Sequence, residues 1–151
     1  MTTPDREIDL TNLPRFLKHL GHPDRDAPSA AFARKLLDDG GEIRSFSGPE
    51  QMDVWELVVR RGNHLVRFGV ERGYSDGAVV RRLDDAPHAP RSVPMKRVVL
   101  EWARATRVDL AIEDTAALRP DLLAYGTAAL DWLDAGNDDA VWGPAPEDTG
   151  P

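Results

Sequence analysis

Gly62–Asn63 separates two runs of alternating residues, VWELVVRR and HLVRFGVE, and a two-residue loop of this kind specifies a β-hairpin. Both loop residues accept the positive φ that such a turn demands. With the turn placed, the register of the strands is fixed. Arg61 then faces His64, Val59 faces Val66, Leu57 faces Phe68 and Trp55 faces Val70. Three successive pairs on that face are apolar, so this side builds core. The other face pairs Val58 with Arg67, Glu56 with Gly69 and Val54 with Glu71, and is mixed and charged. Arg60 and Arg67 belong to the non-core face, with Arg61 and Arg72 at the ends. None of them has to be buried. His64, beside the turn, is expected to be a solvated polar residue.

The flanking segments extend the pattern. TNLPRFLKHLG predicts a short helix capped by Thr11 or Asn12, with Pro14 in its first turn and Leu13, Phe16, Leu17 and Leu20 on one stripe. After a loop broken by Pro23 and Pro28, SAAFARKLLDDGG predicts a second helix, capped by Ser29 and stopped by Gly40–Gly41. EIRSFS follows as a strand, although Ile43 and Phe46 do not alternate. YSDGAVVRRL adds another strand after a loop holding Gly73 and Asp76–Gly77, and DDAPHAPRSVP is a proline-rich connection. PMKRVVLEWARA predicts a helix with Met95, Val98, Val99 and Trp102 on one side. RVDLAI is a short apolar link. RPDLLAYGTAALDWLDAG predicts a last helix, opened by Pro120 and closed by Gly136. The expected fold is α+β: an antiparallel meander of three or four strands, about residues 42–83, packed against N-terminal and C-terminal helices. It makes one domain over residues 1–142, with 143–151 a disordered tail beyond an anchor at Val141 and Trp142.

Charge is unevenly spread. The chain of 151 residues has a net charge of -7, yet residues 60–107 hold 11 Lys/Arg against 5 Asp/Glu. Residues 108–151 hold 1 against 10. Either the basic centre and acidic end face each other inside the fold, or they mark surfaces for partners. Arginine outnumbers lysine 16 to 3, which with the many Ala, Asp and Gly residues fits a GC-rich bacterial gene. The absence of cysteine excludes disulfides and thiol chemistry. No run is apolar enough for a membrane span and the N-terminus carries no signal-peptide pattern, so a cytoplasmic protein is expected.

Candidate chemistry is sparse. His19, His22, Asp24 and Asp26 form H-x-x-H-x-D-x-D, a set of metal-ligand types, but Gly21 and Pro23 end the helix between the histidines and the side chains need not converge. A surface loop is the expectation, with no metal and no cofactor. Nucleophile elbows and phosphate-binding glycine loops are missing, so no catalytic residue is assigned and a non-enzyme is favoured. Arg60, Arg67, Arg81 and Arg82 could line one sheet face for an acidic partner or a nucleic acid, although a pI near 5.0 argues against the latter. Asp84, Asp85, Asp131 and Asp134 could steer a basic partner. Trp55, Trp102, Tyr125 and Trp132 are either core residues or the lining of a small-ligand or enzymatic pocket between helices and sheet.

The segment LLDDGGEIRSFSGPEQMDVWELVVRRGNHLVRFGVERG resembles the small, acidic, cysteine-free immunity proteins of bacterial polymorphic toxin systems. The likeness covers residues 36–83. It implies a compact α+β domain that blocks a cognate toxin without catalysis. The partner is then a protein of charge opposite to the surface it meets. No functional residue carries over from the resemblance.

Overall fold

A computed structural model describes residues 8–83, 91–110 and 122–143. The elements run α1 (Leu13–Leu20), α2 (Ala27–Asp38), β1 (Glu42–Glu50), β2 (Val54–Arg61), β3 (His64–Glu71), β4 (Tyr74–Arg82), β5 (Ser92–Pro94), α3 (Met95–Thr106) and α4 (Leu122–Trp132). A π-helical turn, Leu133–Asn137, then leads into the short α5 (Asp139–Trp142). The five strands pair in sequence order as an antiparallel meander, and the fold is α+β as expected. Among the described residues no helix is long and apolar enough to cross a membrane.

The hairpin has the register its turn dictates, with Trp55 opposite Val70, Leu57 opposite Phe68, Val59 opposite Val66 and Arg61 opposite His64. Leu57, Val59, Val66 and Phe68 are fully buried. Four helices cover that face in the spatial order α1, α2, α4, α3. Phe16 of α1 stacks on Trp55, and Phe32 of α2 meets Phe68 edge-on. Each such buried side chain contributes about 1.5–3 kcal/mol of transfer free energy. The layers are filled rather than hollow: Trp55 lies against Phe16, and Trp102 packs on Tyr125 where α3 meets α4.

Several local expectations change. β1 bulges: Ile43 pairs with Val59 and Ser45 with Val58, so Arg44 is the extra residue. That insertion shifts the alternation and lets both Ile43 and Phe46 pack toward the core. Asp26, not Ser29, caps α2; its Oδ1 accepts from the Ser29 amide and its Oδ2 from the Ser75 hydroxyl at 2.6 Å. The turn before β4 is Arg72–Gly73, and Asp76–Gly77 forms a bulge within the strand. Ser92–Pro94, expected as connection, is a fifth strand on β4. The anchor at Val141 and Trp142 is α5, with both residues buried. Residues 1–7, 84–90, 111–121 and 144–151, which include Pro120 and most of the expected tail, lie outside the described residues.

Candidate functional site

All the described helices lie on one side of the sheet, and no described helix covers its other, open face. Strand alternation places Val58 and Arg60 of β2, Leu65 and Arg67 of β3, and Val79 and Arg81 of β4 on it. Leu65 is opposite both Arg60 and Arg81 and is only 6% exposed, as expected if the apolar stems of those arginines lie over it. Arg67 donates through Nε to Glu56 at 2.6 Å and reaches Asp76 at 3.7 Å. Glu56 and Asp76 together balance Arg67. Gly69 makes room for this arrangement, because a Cβ there would stand 3.0 Å from both Arg67 Nη2 and Asp76 Oδ2. Arg60 gives its Nε–H to the Gly62 carbonyl and meets no carboxylate among the described residues. The Arg81 side chain makes no hydrogen bond or ion pair among them, its backbone pairing with Leu65 and Ser92. Arg60 and Arg81 therefore flank Leu65, and in the neighbouring row Val58 and Val79 flank Arg67.

Arg82 does not join this stripe. One residue on from Arg81, it projects from the opposite face and lies over the Trp142 ring at 5.4 Å. Asp84 and Asp85 lie outside the described residues. Asp131 and Asp134 are brought to the hairpin tip, where they meet partners within the chain. Asp131 forms a two-pronged pair with Arg61, at 3.0 and 3.2 Å, which raises the guanidinium pKa further above its ordinary value.

His64 departs most from expectation. It is 1% exposed, with Nδ1 2.7 Å from Asp134 and Nε2 2.7 Å from Asp138. Its ring stacks on Trp142 with an interplanar angle of 16°. The β-sheet alternation that puts Val66 in the core puts His64 there too, and the carboxylates arrive on the segment after α4. Asp134 also accepts from the Asn63 amide at 2.9 Å. Gly62, at φ +59°, permits this docking, since a Cβ there would overlap the Asp134 carboxylate. Burial denies a substrate access to His64, so the cluster works as a clasp between the hairpin tip and the C-terminal segment.

The opposite end of the sheet carries a second cationic surface. The β1–β2 turn holds Met52 at φ 64° and Asp53 at φ 58°, and the β3–β4 turn holds Arg72 at φ 53°. Left-handed backbone at a non-glycine residue costs on the order of 1 kcal/mol each time. The two turns are joined by a hydrogen bond from the Arg72 amide to the Met52 carbonyl, and they expose Met52 and Tyr74. Beside them Arg15, Lys18, His19, His22, Asp24 and Arg25 line an open depression of about 510 Å³. His19 Nε2 contacts Arg25 Nη1 and is 3.2 Å from Asp53, whose other oxygen accepts from the Trp55 indole at 2.8 Å. Partial burial, then the Arg25 guanidinium, hold the His19 imidazole below its ordinary range; Arg15 and His22 add to this and Asp53 opposes it.

The H-x-x-H-x-D-x-D residues do not converge. His22 accepts from the Asp24 amide and Asp26 caps α2, and among the described residues no group of three potential ligands could hold a metal ion. The cationic depression escapes sequence reasoning because Asp53, Arg25 and the β3–β4 turn meet only in the fold. The one linear signal was the density of Arg15, Lys18, His19, His22 and Arg25 in eleven residues. The sequence matches no protein-family model, and neither the curated proteins nor the solved structures offer a significant match.

Proposed function

We propose that this protein is a non-catalytic, protein-binding inhibitor of immunity type, which neutralises a cognate toxin in the cytoplasm of a bacterial cell. The observation that carries this reading is the open sheet face. Arg60 and Arg81 stand there without carboxylate partners among the described residues, on either side of Leu65, with Val58 and Val79 next along their own strands. Apolar side chains interleaved with arginines have the make-up of an interface centre, where guanidinium groups meet carboxylates and the apolar groups lose their water. The partner surface is accordingly acidic around an apolar centre, and charge attraction speeds the encounter. The likeness of residues 36–83 to immunity proteins supports the same assignment.

Nucleic acid fits this face less well. Glu56 and Asp76 already neutralise Arg67, Arg82 projects from the other side, and the chain carries net -7. The buried aromatic contacts between helices and sheet likewise leave the small-ligand or enzymatic reading without a specific support.

The test is genetic and biochemical. The gene immediately upstream is expected to encode a secreted or toxin-domain protein whose lethality is relieved by co-expression of this chain, the two proteins co-purifying. A housekeeping operon at that position, or a toxic product that this chain neither binds nor relieves, contradicts the proposal.

A further inference from the structure

The depression beside α1 has no part in the sheet-face reading. Three permanent cations, Arg15, Lys18 and Arg25, line or border it, against two carboxylates, Asp24 and Asp53. Lys18 makes no ion pair among the described residues, whereas Asp53 is fixed by the Trp55 indole. The empty site is therefore slightly positive when its histidines are neutral. A dianion reverses that excess, and one added proton restores neutrality.

His19 is built to supply that proton. Its Nε2 faces both Arg25 Nη1 and Asp53 Oδ2. A nitrogen with a free lone pair accepts from Arg25; the same nitrogen with a proton donates to Asp53 and repels Arg25. Protonation of the ring therefore favours Asp53 over Arg25 as its partner. His22 borders the same space, with Asp24 beside it, and the Arg72 guanidinium of the β3–β4 turn is directed at the Met52 sulfur instead. Partial burial first, and then the Arg25 guanidinium, lower the proton affinity of His19 in the empty site.

We propose that this depression is a phosphoryl-oxyanion site, in which Arg15, Lys18 and Arg25 hold the anion and His19 takes up a proton as the anion binds. Guanidinium and ammonium groups are the natural donors for phosphate oxygens. A phosphomonoester, whose second ionisation falls near pH 6, presents the required dianion at neutral pH. By linkage, binding tightens as pH falls toward the histidine range, until the anion itself becomes protonated.

The test follows the imidazole Cε1–H resonances of the full chain by NMR. Inorganic phosphate and glycerol phosphate are each titrated against chloride at constant ionic strength. Saturable movement of His19, with its titration midpoint displaced upward at saturation, is expected. Lys18→Gln and Arg25→Gln should each weaken binding roughly tenfold, the loss of one charge-assisted hydrogen bond. Lys18 is exposed, so its variant carries the test if Arg25→Gln disturbs folding. Asp53→Asn should retain binding but lose most of the upward displacement. Tighter binding of the ester assigns the site to a small phosphorylated metabolite and equal binding to free phosphate; either supports the proposal. Responses to phosphate no larger than those to chloride overturn it. A hexaglutamate peptide that binds more tightly than either phosphate also overturns it and makes the depression a groove for acidic polypeptide.

Discussion

Gly126 shows how a single residue can decide the packing of two helices. It lies on α4 against α2, and a Cβ at that position would overlap the Phe32 ring. In a free helix, Gly→Ala stabilises by about 0.5–1 kcal/mol. Here overpacking outweighs that gain, and Gly126→Ala is expected to lower stability by about 1–3 kcal/mol in urea denaturation. An increase in stability would mean that Phe32 has room to turn aside. His64 poses the converse case, a polar residue whose partners are invisible locally. Asp134 and Asp138 lie 70 and 74 residues away in sequence, so nothing near the turn announced the clasp. His64→Ala removes both bonds and the Trp142 stack, and should cost about 2–3 kcal/mol. The same denaturation measurement checks it, and a loss below about 0.5 kcal/mol would place the clasp among ordinary surface contacts.

The β2–β3 hairpin was the most legible element because a two-residue turn and strict alternation constrain each other. Its register and its two faces follow from Gly62–Asn63 and the apolar pairs alone. The energetic consequence is an asymmetry between faces. Leu57→Ala or Phe68→Ala should each cost about 2–5 kcal/mol through the cavity left behind. Arg60→Ala and Arg67→Ala should each change stability by less than about 1 kcal/mol, because exposed ion pairs contribute little. Thermal and urea unfolding of the four variants compares them directly; the opposite ranking would invert the assigned faces. Elements that depended on extra residues were harder to read. The Arg44 bulge in β1 and the Asp76–Gly77 bulge in β4 break the two-residue period, and β5 is a three-residue strand hidden in a proline-rich stretch. The α2 cap was misplaced by three residues because Asp26 and Ser29 both have capping side chains, and Pro28 fits the first turn as readily as a loop.

At the scale of the whole molecule, the basic centre and acidic end do meet at the hairpin tip. Arg61 and His64 engage Asp131, Asp134 and Asp138, whereas Arg60 and Arg81 stay on the open face. That division separates charges that hold the fold from charges available to a partner, and it depends on strand parity rather than on charge counts. The depression at the far end adds a pH signature. His19 has a proton affinity below its ordinary one, 6.5, so between its lowered pKa and 6.5 the unfolded chain binds more protons than the folded one. Stability therefore rises with pH through that window, and the penalty is complete below the folded pKa. Urea midpoints of the wild type and His19→Gln between pH 5 and 7 should converge as pH increases, with the wild type gaining more. Parallel curves would show that His19 titrates alike in both states.

The open sheet face, where Arg60 and Arg81 meet no carboxylate among the described residues, is the proposed docking place of an acidic protein partner. The most direct measurement is the dissociation constant for the upstream gene's product, with wild type and Arg60→Glu/Arg81→Glu compared at low and high salt. Neither guanidinium supports the core, so the double variant should remain folded. Affinity should fall by about 100-fold or more, and the wild type's salt dependence should flatten in the variant. A folded double variant that binds as tightly as the wild type at both salt concentrations would contradict the account.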